Sequence, residues 1–168
     1  MALPPPEVGL VIRYSYLWHH EAMKGAEEGL KDRPCVVVLA SQDDRVVVAP
    51  ITHTPPTKGM AAVELPSTIK AQLGLDHERS WVVTNDVNHF QWPGTDLRPA
   101  KGQEWSFGKL PPGITKTVLQ KVQDNARERT LQQVKRDDVS PAWGKADDKP
   151  TSPRVIKPLP KKDKDRER

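Results

Sequence analysis

Residues 33–56 read RPCVVVLASQDDRVVVAPITHTPP, and two valine-rich runs in this stretch decide the fold. The run CVVVL (35–39) is apolar throughout and β-branched at three positions, which predicts a strand covered on both faces. A polar turn, SQDD (41–44), follows it, and VVV (46–48) repeats the same chemistry. Two such runs separated by about four polar residues predict a β-hairpin at the centre of the core.

Polar residues flank both open ends of this hairpin. Arg33 enters the first strand, and Thr52 and His53 leave the second. In an antiparallel pair the start of one strand lies beside the end of the next, so we expect Arg33 and Thr52 on the same rim. That rim is the candidate functional site.

The rest of the chain predicts short strands and helices around the hairpin. The predicted strands are 10–16, 61–65, 80–87 and 104–110, with a long polar loop at 17–32 and a small helix at 67–73. Apolar residues recur at helical spacing from Ile114 to about Arg136, which predicts a carboxy-terminal helix. Short strands with frequent turns and one closing helix predict a mainly β fold, a small twisted β-barrel.

Charge divides the 168-residue chain into a neutral body and a basic tail. The chain has 26 Lys/Arg and 22 Asp/Glu, of which residues 139–168 hold nine and five, leaving 17 of each in residues 1–138. General basicity therefore gives no reason for the body to bind nucleic acid. The tail is also rich in proline and poor in apolar residues. We predict a disordered lead at 1–8, one domain at 9–138, and a disordered basic tail at 139–168.

Other features of the composition indicate where in the cell the protein is expected. Cys35 is the single cysteine, so no disulfide framework is expected. No apolar run approaches the roughly 18 residues of a membrane span. The first residues, MALPPP, lack the charged and apolar regions of a signal peptide. We expect a cytoplasmic protein with no membrane partner.

Four motifs in order resemble the MazF/PemK/Kid family of plasmid-maintenance toxins. They are GLV (9–11), KGAE (24–27), RP before VVVL (33–39) and APIT (49–52). The resemblance covers roughly residues 9–136. It implies an SH3-like barrel of the CcdB/MazF type, a homodimer, and cleavage of single-stranded RNA without metal or cofactor. It also implies a cognate antitoxin whose disordered tail occludes the active groove.

Two rim residues suit this chemistry. RNA cleavage by its own 2′-hydroxyl needs a base, groups that stabilise the phosphorane oxygens, and an acid for the leaving 5′-oxygen. Arg33 offers a permanent charge and Thr52 a hydroxyl donor, and the resemblance gives the matching residues this role. The alternatives are an ion pair of Arg33 with Asp32 or a loop glutamate, and a Thr52 hydroxyl satisfied by its own backbone.

The base has two candidates. The resemblance makes Glu27 a site residue, although a solvated loop charge is the alternative. In Kid-like members the fourth strand carries Arg-x-Asp, with the aspartate proposed as base, and here the stretch reads Thr84-Asn85-Asp86. The carboxylate of Asp86 is kept and the arginine is replaced by Thr84. This departure leaves open a member that binds RNA without cutting it.

Four further residues are candidate RNA contacts. His20 and His53 each carry an imidazole, the side chain type whose ordinary pKa lies nearest to neutral pH, and Lys24 belongs to the KGAE motif. Trp92, with Phe90, could stack an unpaired base, and the alternative is an aromatic cluster that caps the barrel.

Three classes of function remain. An endoribonuclease toxin is favoured by the co-occurrence of Glu27, Arg33 and Thr52. A poison that binds a protein, as gyrase-inhibiting relatives of the fold do, would use the carboxy-terminal helix. A nonenzymatic SH3-like adaptor would make the rim residues incidental.

Overall fold

A computed structural model describes residues 3–102 and 104–136, which form mainly antiparallel β-structure. The strands are β1 (Leu10–Ser15), β2 (Asp32–Ala40), β3 (Arg45–Thr52), β4 (Ala62–Glu64), β5 (Trp81–Val83), β6 (Asp86–Gln91), β7 (Leu97–Arg98), β8 (Gly108–Lys109) and β9 (Gln132–Lys135). The helices are α1 (His19–Met23), α2 (Ser67–Leu73) and α3 (Pro112–Arg127). The predicted mainly β fold with a few helices is confirmed.

The predicted domain boundaries fall partly outside these residues. The described chain up to Val134 forms one compact unit. The described residues end at 136, so the predicted tail at 139–168 lies outside them. The tail and the boundary at 138 stay predictions.

The central hairpin forms as predicted. β2 pairs antiparallel with β3 in a register that sets Cys35 opposite Pro50 and Val37 opposite Val48, with an irregularity between Val37 and Leu39. The sheet runs β4-β5-β3-β2-β1-β7, with β6 also paired to β3, β8 to β1 and β9 to β6. The hairpin is therefore the middle of the sheet, as its two apolar faces require.

Two hydrophobic clusters cover the two faces of the hairpin. Side chains alternate along a strand, so neighbouring valines enter different clusters. The first cluster includes Val36, Ala49 and Ile51. The second includes Cys35, Val37 and Val48, together with tyrosines of the β1 segment. This alternation continues to the end of the hairpin where the candidate site lies.

Four local predictions differ from the structure. Of the strand predicted at 104–110, only Gly108–Lys109 form a strand, β8. Residues 19–23, predicted as loop, form the short helix α1. The single strand predicted at 80–87 is two strands, because β5 pairs with the end of β3 and β6 with its beginning. The last helix ends at Arg127 instead of about 136, where the left-handed backbone at Arg129 (φ 62°) turns the chain into β9.

Among the described helices, none combines the length and the apolar content needed to cross a bilayer.

Candidate functional site

A pocket of about 460 Å³ opens at the rim where β2 begins and β3 ends. Continuing the register of Cys35 and Pro50 by two residues sets Arg33 opposite Thr52. Both residues line the pocket, together with Asp86 at the start of β6 and His20 of α1. We call this cavity the large pocket; its remaining lining residues are Trp18, Thr54, Thr57, Lys58, Gly59, Met60, Val83, Asn85 and Gln132.

Arg33 provides a charge that its neighbours do not neutralise. Asp32, the acid next to it in sequence, faces Arg13 and Arg98 at 3.8 and 3.9 Å. Within the described chain Arg33 forms no ion pair, and its Nε is buried without a hydrogen-bond partner. Its guanidinium carbon lies 5.2 Å from the centre of the Trp18 ring, a cation–π contact. An ion pair with Asp32 or with a loop glutamate does not account for Arg33.

The hydroxyl of Thr52 both bonds to the local backbone and can serve as a donor in the pocket. The side chain is buried, with 6% of its surface exposed, and Oγ1 accepts a hydrogen bond of 3.2 Å from the Thr54 backbone N–H. This is the local backbone contact typical of a strand-end threonine. A hydroxyl that accepts one bond keeps its proton to donate. Thr52 can therefore stabilise an oxyanion in the pocket without breaking this contact.

Asp86 is a buried carboxyl held by the segment that follows β1. Tyr16 donates its hydroxyl to Oδ1 at 2.5 Å, and the backbone N–H of His19 donates to Oδ2 at 3.3 Å. Burial raises the pKa of Asp86, and the hydrogen bonds from Tyr16 and His19 oppose this rise only in part. A carboxyl with a raised pKa in a pocket is a candidate for proton transfer.

Trp18 forms an aromatic wall of the large pocket. Its ring stacks on His20 with centroids 6.4 Å apart and meets the edge of Tyr16 at 5.2 Å. With Arg33 also over the ring, the indole links three residues of the site. An indole in this position can stack a flat ligand group.

Asn85 holds the opposite rim of the large pocket. Its Nδ2 donates to the Gly59 carbonyl at 2.8 Å, and its Oδ1 accepts from the Ala61 N–H at 3.2 Å. The loop fixed by these bonds places Thr57 and Lys58 at the pocket. The break between β5 and β6 thus builds one wall of the site.

Glu27 and Lys24 are not brought to the large pocket. Both side chains are exposed in the segment between α1 and β2, and neither lines the cavity. Gly29 of this segment lies so close to Tyr16 that a Cβ would overlap the Tyr16 carbonyl oxygen. The roles of these two candidates stay predictions.

His53 lies in a network of charges beside the site. Its Nε2 is 2.7 Å from Asp76 Oδ2, and its Nδ1 is 3.8 Å from Glu78 Oε1. The buried Lys70 donates to Asp76 Oδ1 at 2.8 Å and to Ser80 Oγ at 2.7 Å. The hydrogen bond from Lys70 is the main reason that the pKa of Asp76 is lowered.

This network is also the group of described side chains best placed to hold a metal ion. The ligand atoms of His53, Asp76 and Glu78 lie within 4.8 Å of one another, and all three residues are exposed. The two carboxylates face different nitrogens of one imidazole, and Asp76 already pairs with Lys70. The Lys70–Asp76 ion pair and the contacts of His53 with the two carboxylates account for this arrangement.

Trp92 lies away from the large pocket. Only 8% of its surface is exposed, and its ring packs against Phe90 with centroids 6.1 Å apart. Phe90 in turn stacks on Tyr14 at 4.5 Å. This placement corresponds to the alternative of an aromatic cluster in the core, and base stacking by Trp92 stays a prediction.

Sequence reasoning missed Trp18, Asn85 and Tyr16. Trp18 lies shortly after the first strand and directly precedes two histidines, a pattern that could have indicated an aromatic at a rim. Asn85 and Tyr16 act through partners 24 to 70 residues away in the chain. No local pattern indicates such contacts.

Comparison of the sequence with protein-family models finds no match, and comparison with curated proteins finds none either.

Proposed function

We propose that this chain is the toxin of a type II toxin–antitoxin module, a metal-independent endoribonuclease similar to the MazF, PemK and Kid toxins. One observation carries the proposal: the large pocket joins Arg33, Thr52 and Asp86, and no described acid is paired with Arg33. Its proposed fold is the SH3-like barrel of that family, which the antiparallel sheet supports. A cytoplasmic location and a cognate antitoxin as partner are parts of the proposal.

The pocket residues supply each step of the proposed reaction. Asp86 takes the proton of a ribose 2′-hydroxyl, whose oxygen attacks the adjacent phosphorus. Arg33 and Thr52 stabilise the charge on the phosphorane oxygens. His20 donates a proton to the 5′-oxygen as its bond to phosphorus breaks. The products are a 2′,3′-cyclic phosphate and a 5′-hydroxyl.

The environment of Asp86 favours this assignment. A general base works best when its pKa lies near the operating pH, and burial moves the pKa of Asp86 in that direction. The hydrogen bond from Tyr16 fixes the carboxyl orientation. Glu27, the other candidate base, does not line the pocket.

A second candidate is a member of the same fold that binds RNA or a protein without cutting. Both carboxylate oxygens of Asp86 already accept hydrogen bonds, from Tyr16 and His19, as in a structural clamp. Thr84 replaces the arginine of Kid-like members, and it is fully buried without lining the pocket. Both features favour a pocket that binds a phosphate without cutting the RNA.

Incubation of the purified protein with a long single-stranded RNA in EDTA tests the proposal. We expect cleavage that leaves 2′,3′-cyclic phosphate and 5′-hydroxyl ends, and that stops when the ribose at the cut site is 2′-deoxy. Intact RNA after incubation with folded protein would favour the binding-only candidate.

The proposed homodimer is tested by light scattering. The path of the sheet ends at the short strands β4 and β7, which leaves strand edges to cover. We expect twice the mass of one chain at micromolar concentration, and the mass of a single chain would contradict the dimer.

A further inference from the structure

Three exposed side chains beside the site, His53, Asp76 and Glu78, lie close enough together to bind one cation. One ligand atom from each residue lies within 4.8 Å of the other two. Ligands of one Zn²⁺ lie about 2.0–2.2 Å from it, so two of them are about 3.3 Å apart in a tetrahedral site. Exposed side chains can reach that spacing by rotation about their own bonds.

The carboxylate of Asp76 is already oriented for a metal. Its Oδ1 accepts hydrogen bonds from the Lys70 ammonium at 2.8 Å and from the Glu78 backbone N–H at 3.1 Å. Its Oδ2 faces Nε2 of His53 at 2.7 Å. Partners that hold a ligand from outside the coordination sphere are typical of protein metal sites. A metal on Oδ2 would therefore replace the contact with His53 and leave the Lys70–Asp76 pair in place.

The buried ammonium of Lys70 fixes the backbone that carries two of the three ligands. Lys70 is 3% exposed, and besides Asp76 it donates to the Glu78 carbonyl and to Ser80 Oγ, the latter at 2.7 Å. An ammonium has three donors, and these three acceptors use all of them. The turn between α2 and β5 is thus held around Lys70. Less entropy is lost when a ligand binds to groups that are already in position.

The charge and freedom of the remaining groups also favour a cation. The side chain of Glu78 is 73% exposed, and its Oε1 lies 3.8 Å from Nδ1 of His53. Its length and exposure let it bring an oxygen to an ion held between His53 and Asp76. The two carboxylates outweigh the single positive charge of Lys70, so the group is net negative when the imidazole is neutral.

We propose that His53, Asp76 and Glu78 form a site for a divalent transition-metal ion such as Zn²⁺, which joins the end of β3 to the turn between α2 and β5. An imidazole suits Zn²⁺ and Co²⁺, whereas Mg²⁺ and Ca²⁺ take oxygen ligands. Three protein ligands leave a further position for water. The ion has no part in the proposed RNA cleavage, which is expected to proceed in EDTA.

Titration of the full chain with Zn²⁺, after treatment with EDTA and dialysis, tests the site. Isothermal titration calorimetry should give one ion per chain. The imidazole ¹⁵N resonances of His53 should shift, and those of His77 should not. Because the ion binds the folded chain, Zn²⁺ should also raise the melting temperature, and Mg²⁺ at the same concentration should not.

Two ligand variants and one control make the test specific. His53→Ala and Glu78→Gln each remove one ligand and leave the Lys70–Asp76 pair in place, so both variants should fold. Each should weaken Zn²⁺ binding about tenfold or more, a loss that removal of an outer partner alone can cause. His77→Ala is the matched control, because this exposed imidazole lies between two of the ligands in sequence and is not one of the group. It should bind Zn²⁺ as wild type does.

Equal Zn²⁺ affinity of the wild type and either ligand variant would overturn the proposed site. Shifts of other histidine rings with the His53 ring unmoved would overturn it as well. RNA cleavage is not a readout of these experiments, so failure of the metal site and failure of the proposed reaction are separate results.

Discussion

Two opposing effects act on the pKa of Asp86. Burial disfavours the carboxylate and raises the pKa, whereas the hydroxyl of Tyr16 donates to the carboxylate and lowers it. Tyr16 is itself 1% exposed, so water cannot replace its hydroxyl readily. The phenol therefore lowers the pH above which Asp86, the proposed base, is ionised.

Tyr16→Phe should move the acidic limb of the pH–rate profile to higher pH. The substitution removes a hydrogen bond that favours the charged form, so the pKa of Asp86 rises further above its ordinary value of 3.8. Single-turnover cleavage rates across the pH range measure the limb.

Two variants accompany this measurement. Asp86→Asn should remove the limb and most of the rate, while Glu27→Gln should keep both, because only Asp86 lines the pocket. A folded Tyr16→Phe protein with an unmoved limb would contradict the assignment of Asp86 as base.

Between strands, Asn88 joins the two segments that build the pocket. Its Nδ2 donates to the Leu17 carbonyl at 2.7 Å, and its Oδ1 accepts from the Leu17 N–H at 3.0 Å. The side chain is fully buried. These bonds fix the segment after β1 against β6, and so fix Trp18 beside Arg33.

Asn88→Ala should lower the free energy of unfolding by about 2–4 kcal/mol, because it leaves two buried backbone groups of Leu17 without their partners. Urea denaturation measures the loss. Gln72→Ala, at an exposed position of α2, should stay within about 0.5 kcal/mol. A loss below about 1 kcal/mol for Asn88→Ala would contradict the clamp.

The hairpin was predictable because its signal is local. Two valine runs around SQDD define both strands, and the antiparallel rule then brings Arg33 to Thr52. The division of 80–87 into two strands was not predictable, since SWVVTNDV is one β-type run. Its break depends on which part of β3 each half pairs with.

The sequence pattern predicted neither helix α1 nor the end of α3, and the reasons differ. α1 has five residues, too few to show a helical period. After Arg127 the apolar residues Leu131 and Val134 keep a helical spacing, although the chain has already turned at Arg129. The left-handed backbone at Arg129 ends the helical region although the spacing of apolar residues continues.

Some residues of the candidate site could be predicted from the sequence and others could not. Arg33 and Thr52 follow from strand geometry, and Asp86 from the resemblance of one short motif. Trp18 and Asn85 depend on contacts between distant segments. No periodic pattern in the sequence indicates contacts between distant segments.

Across the entire chain, the body and the tail have separate predicted roles. Residues 139–168 have too little apolar surface for a core, so their deletion should leave the melting temperature within a few degrees. Their nine cations should contribute phosphate contacts that any RNA sequence can make. Deletion should therefore flatten the salt dependence of RNA binding. A melting temperature lower by about ten degrees or more would show that the tail stabilises the body.

Single-turnover cleavage by the Arg33→Ala and Thr52→Val variants, alone and combined, is the most direct test of the proposed site. Arg33→Ala should slow cleavage about a hundredfold or more, the loss expected for one preorganised charge stabiliser, while stability changes little. Thr52→Val should also slow it, and the double variant should lose less than the sum if both groups hold one phosphate.

An arginine remote from the pocket supplies the control. Arg127→Ala, at the exposed end of α3, should cleave at the wild-type rate. The folded double variant should have lost nearly all cleavage. Full cleavage by that double variant would contradict the proposed roles of Arg33 and Thr52.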